Sequence, residues 1–122
     1  MPTPRDHFRA HARRRVNLGA TLRDNVGSVA RDVRVRDLGL GGASLEVFDA
    51  QGALRFLESD AIVTVELAAP TRWDPLTLQG KVVWVRRGLQ GRTTRAGVRF
   101  EHRDPALLFA LFQLLGATAY DL

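Results

Sequence analysis

The sequence predicts a mainly-β domain of six or seven antiparallel strands followed by one C-terminal helix. Three observations carry this. Apolar residues alternate with polar ones in successive short runs, the period of a strand with one buried face. Turn-forming clusters of Gly, Asn, Asp and Pro separate the runs. After residue 104 the period changes to that of a helix. Strands in a row joined by turns favour an antiparallel barrel or sandwich.

Residues 1–15 show neither period. They hold two prolines and five arginines against one acid, Asp6. Charge repulsion and a shortage of apolar groups mark them as a flexible basic arm, with the folded domain spanning 16–122. Val16, Leu18, Ala20 and Leu22 alternate as the first strand, and Asp24-Asn25-Val26-Gly27-Ser28 supplies turn chemistry. Val29, Val33 and Val35 continue the pattern, with Arg31, Arg34 and Arg36 on the solvated face. Asp37-Leu38-Gly39-Leu40-Gly41-Gly42 then joins this strand to a third, marked by Ala43, Leu45 and Val47.

Residues 49–61 read as a loop with one helical turn. Ile62, Val63, Val65 and Leu67 form the next strand. The two prolines of the 69–75 segment exclude a central strand there, and Trp73 is expected to pack this loop down. Leu76 to Val85 reads as one long strand bent at Gly80, with Trp84 as a packing residue. A basic hairpin tip from Arg86 to Arg92 leads to a last strand of Ala96, Val98 and Phe100. Asp104 is an N-cap and Pro105 suits the first helical position. In the helix, residues 108, 111, 112 and 115 make one apolar face, widened by Leu107 and Leu114, with Phe109 off it. That exceeds the stripe needed to cover one barrel end: the helix either plugs the barrel with generous burial, or part of it contacts a protein partner or a second copy.

Composition narrows the function. The chain of 122 residues fits one domain. It has no cysteine, so it has no disulfide and no thiolate metal site, and His7, His11 and His102 lack metal-ligand spacing. No stretch approaches the ~20 apolar residues of a membrane span. The charged N-terminus has no apolar run behind it, so a cytoplasmic location is expected. No nucleophile sits in a recognisable motif with a base. The glycines of 37–42 lead into a strand and not a helix, so they make no dinucleotide fingerprint, and no enzyme activity is expected. The net charge is +5, and all basic residues but Lys81 are arginine. Codon bias accounts for much of the arginine total, but not for its crowding in the arm. Aromatic residues are scattered along the chain, which argues against a single-stranded nucleic-acid platform.

Two stretches stand out as a candidate site. Arg9 and Arg13 stand four apart immediately before the first strand. Asp37 places a carboxylate beside a glycine-rich turn that lets a ligand approach the main chain. Gly97-Val98-Arg99-Phe100 follows in the last strand. In order and spacing these resemble the PilZ domain family. That family carries RxxxR before its first barrel strand, D/N-x-S-x-x-G after its second, and Gly-Val-x-Phe late in the barrel.

The resemblance implies a PilZ-like antiparallel barrel with a C-terminal helix that binds the bacterial second messenger cyclic di-GMP. It implies that Arg9 and Arg13 clamp phosphate and the Hoogsteen edge of guanine, with Arg14 beside them. Asp37 would accept from guanine N1–H or N2–H, and Gly41 and Gly42 would admit the ring. The arm would order around the ligand and so present a surface to an unidentified protein partner. Cyclic di-GMP is ligand here and not cofactor. The family serine is Gly39 in this chain, and Phe8 stands where a further arginine often precedes the motif. The alternative is therefore a degenerate member that binds no nucleotide and acts through protein contacts.

Overall fold

A computed structural model describes residues 14–27, 29–48, 57–68, 73–88 and 93–119. Six strands are present: β1 (Arg14–Asp24), β2 (Ala30–Leu38), β3 (Gly42–Phe48), β4 (Ile62–Leu67), β5 (Leu76–Arg87) and β6 (Thr93–Phe100). One helix follows, α1 (Pro105–Ala119). The strands close into a barrel in the order β1-β2-β3-β6-β5-β4, with every neighbour antiparallel. Closure leaves no free sheet edge, which removes the usual route to edge-to-edge aggregation.

The alternation reads directly onto the barrel. Ala20, Leu22, Val33, Val35, Ala43, Leu45, Val47, Val63, Val65 and Leu67 all point into one core, where they meet Leu76, Leu78, Val82, Ala96, Val98 and Phe100. Leu57 is also fully buried there. The first turn forms as its residues dictate. Gly27 adopts φ 73°, its amide donates to the Asp24 carbonyl at 3.1 Å, and the Val29 amide donates to Asp24 Oδ1 at 3.2 Å. Asp104 caps α1 by accepting from the Ala106 amide through Oδ1 at 2.9 Å.

Two expectations are corrected. α1 lies against β1 and β5, and it buries Leu111, Leu114 and Leu115 with Leu107 and Ala110 partly covered. Phe112, assigned to the inward face, is exposed. The helix is apolar nearly all round, so its pattern alone does not choose a face. Trp73 does not pack its loop down but is fully exposed. Gly80 is where β5 passes from β4, which it pairs up to Lys81, to β6, which it pairs from Gly80 onward; the register irregularity of β5 lies between Val82 and Trp84.

Candidate functional site

The β2–β3 connection is a tight turn tied to the end of β6. The Gly39 amide donates to the Gly42 carbonyl at 2.9 Å, and the Phe100 amide donates to the Gly41 carbonyl at 2.8 Å. The His102 ring bonds the Leu40 carbonyl, and it stacks edge-on against Phe100 with centroids 6.0 Å apart. Gly42 is required by close approach: a Cβ there would fall inside the radius of the Val98 carbonyl oxygen. Among the described residues, the amides of Leu40 and Gly41 bond to nothing. The turn therefore offers two free donors in a fixed orientation.

Asp37 reaches the outer face through a bulge. Val33, Val35 and Leu38 are all buried, and the register shifts between Val35 and Asp37, so Arg36 and Asp37 both turn outward. The Asp37 carboxylate has no hydrogen-bonding or ion-pairing partner among the described residues, whereas Arg36 is held by Glu46 Oε1 at 3.1 Å.

Cross-strand pairing extends Asp37 into a row around the barrel. Arg15 lies opposite Asp37, Asp37 opposite Ser44, Ser44 opposite Gly97, and Gly97 opposite Trp84. Directly opposed residues share a face with Cβ atoms about 5 Å apart. The Trp84 indole lies across Gly97, in the space that a Cβ on that residue would need. Ser44 is buried although it belongs to the outer row. The row thus runs, in order, through a cation, a carboxylate, a buried hydroxyl and an aromatic ring.

The surroundings are electropositive. Lys81 lies directly opposite Arg99, and Arg86 directly opposite Arg95, one pair on each side of the Trp84–Gly97 pair. Arg95 is already paired with Glu46 Oε2 at 3.9 Å, whereas Lys81 and Arg99 have no acid partner among the described residues. Opposed like charges destabilise a sheet, so an anion beside Lys81 and Arg99 relieves a repulsion built into the register. An open groove of about 690 Å³ lies elsewhere, over Gly19, Thr21, Asp32, Arg34, Glu46 and Glu66. Glu66 and Glu46 are held there by Arg23 and Arg36, and Asp32 lies beside Arg34, so its lining offers no surplus of positive charge for a phosphate.

Of the residues singled out in the sequence, Asp37, Gly39, Gly41 and Gly42 come together at the turn. Arg14 opens β1 opposite Leu38, exposed at the barrel rim. Arg9 and Arg13 lie outside the described residues. Sequence reasoning passed over Arg15 and Ser44 and assigned Trp84 to packing alone. Alternation places Ser44 on an outward position between Ala43 and Leu45, but only pairing brings it to Asp37. No group of three or more His, Asp or Glu among the described residues could hold a metal ion, and no described helix is long and apolar enough to cross a membrane.

The model of the PilZ domain matches residues 5–116. The chain belongs to the PilZ family. Solved structures agree at the level of fold. The PilZ domain of CeSA from a cellulose-synthesizing bacterium superposes with a TM-score of 0.63 at 19% identity, over 86% of this chain and 95% of that one. The PilZ domain of YcgR from Escherichia coli with c-di-GMP gives 0.66 at 18% identity, over 86% and 83%. The K. pneumonia MrkH–c-di-GMP complex gives 0.68 at 19% identity, over 89% of this chain and 51% of that one. This PilZ domain thus spans about half of MrkH. No curated protein matches the sequence.

Proposed function

We propose that this PilZ domain is a cyclic di-GMP receptor without enzymatic activity, acting in the bacterial cytoplasm. The observation that carries the reading is the unpartnered Asp37 carboxylate, set beside two free turn amides at the end of the barrel where the arginine arm joins β1. The guanine Watson–Crick edge needs an acceptor for N1–H and N2–H, and Asp37 supplies one. The phosphates and the Hoogsteen edge need planar, charged donors, which arginine provides. Arg13 is bonded to Arg14 at the start of β1, and Arg9 lies within about 18 Å of it along the chain. YcgR and MrkH have both been solved with c-di-GMP, which supports the same ligand class here.

Trp84 adds a ring at the far end of the row, where a base can stack, with the Lys81–Arg99 cation pair beside it. Signalling then consists of the arm passing from free to ligand-bound, so that a protein partner meets a surface absent from the apo form. The test is calorimetric titration of cyclic di-GMP into the protein, with GTP as control. Saturable binding at micromolar concentration or tighter is the expected result.

Gly39 favours a second reading. The missing hydroxyl removes a hydrogen bond of roughly 0.5–1.5 kcal/mol. Gly39→Ser is therefore expected to tighten binding about two- to tenfold in the same titration. Unchanged or weaker affinity would mean that the turn is not used in the family's register. Absence of heat, together with absence of any chemical-shift change in the arm, would favour a nucleotide-independent adaptor that works through the exposed helix face.

A further inference from the structure

α1 has an outward face that the barrel does not use. Phe109 and Phe112 are 61% and 60% exposed, with Gln113 and Gly116 exposed beside them. It is also the one described element without a charged residue. Gly116 is the second anomaly. A glycine within a helix is destabilising relative to alanine, and nothing lies within 4 Å of where its Cβ would be. No contact inside the described chain calls for it.

We propose that α1 pairs antiparallel with α1 of a second copy, each Phe109 seated over Gly116 of the partner subunit. The sequence is self-complementary for this arrangement. A two-fold axis between Phe112 and Gln113 brings Phe109, three residues before Phe112, opposite Gly116, three residues after Gln113. Pro105, Phe109, Phe112 and Gly116 are spaced four, three and four apart, the repeat of a helix–helix seam. The glycine lets the two backbones approach and receives the ring.

Charge permits a second copy at this face. The chain carries +5, and α1 bears no charged residue, so two copies can approach through α1 without opposing like charges. Area sets the strength. Covering the exposed parts of four Phe rings, at 150–250 Å² each, removes roughly 400–600 Å² from water. That is below the ~1,200 Å² of a standard stable interface, so the dimer is a weak, concentration-dependent one.

This inference does not depend on the nucleotide reading, because its readout is mass and not ligand. Sedimentation equilibrium of the ligand-free chain, from about 10 to about 500 µM, is expected to show the 13.5 kDa species giving way to one of twice that mass. Gly116→Leu fills the notch while restoring helix propensity. It is expected to weaken association at least about tenfold while the melting temperature of the monomer holds or rises. Phe109→Glu is expected to act in the same direction. A wild-type chain that stays at 13.5 kDa throughout would overturn the proposal and leave the face to an unlike partner. So would a Gly116→Leu variant that associates as tightly as wild type.

Discussion

Gly42→Ala is expected to destabilise the ligand-free domain by about 2–3 kcal/mol, the cost of forcing a methyl group into a packed site. The added Cβ would overlap the Val98 carbonyl oxygen, and that obstacle is backbone in the partner strand, which no side-chain rotation can clear. β3 and β6 pair from Gly42↔Arg99 to Phe48↔Thr93, so relief requires the start of this ladder to separate. The Phe100–Gly41 and His102–Leu40 bonds that fix the turn would be strained together. Thermal unfolding measures the effect as a fall of roughly 10 °C in Tm. Gly116→Ala is the control. Its Cβ meets open space in a helix, so it should be neutral or stabilising by up to about 1 kcal/mol. Equal Tm values for Gly42→Ala and wild type would mean that the turn does not pack on β6 as described.

Arg13→Ala is expected to abolish cyclic di-GMP binding and leave apo stability nearly unchanged. An arginine making two charge-assisted hydrogen bonds to phosphate or guanine contributes about 3 kcal/mol or more, which corresponds to at least about a hundredfold in affinity. Arg13 precedes Arg14, the first residue of β1, and a ligand-clamp role predicts that apo stability does not depend on it. Calorimetry and thermal unfolding on the same variant separate the two effects. Lost binding with an unchanged Tm fits a ligand clamp. A large fall in apo Tm would make Arg13 a structural residue and remove it from the site. Arg15→Ala is the informative neighbour: it faces Asp37 across the β1–β2 ladder. Removing it alters the field around the carboxylate without touching the RxxxR pair.

The strands, the Asp24–Gly27 turn and the Asp104 cap follow from local chemistry, so the chain alone specified them. Period-two alternation states which side chains of one strand share a face. An Asp before Pro states where a helix starts. The barrel with one helix, the family and the Asp37–Gly42 turn were all legible on these terms. The row Arg15–Asp37–Ser44–Gly97–Trp84 was not, because it draws on five strands whose relative register is a property of pairing. Its members also depend on three register shifts, between Arg15 and Leu18, between Val35 and Asp37, and between Val82 and Trp84. Each inserts a residue that a period-two reading cannot place. The helix was decided in the same way. α1 is apolar on nearly every side, so periodicity gave no preferred face, and the space between β1 and β5 took Leu111 and Leu114 inward and left Phe109 and Phe112 outside. Local sequence determined which elements form; long-range packing decided which residues meet, because a neighbour across a closed barrel leaves no signal in the spacing of a single strand.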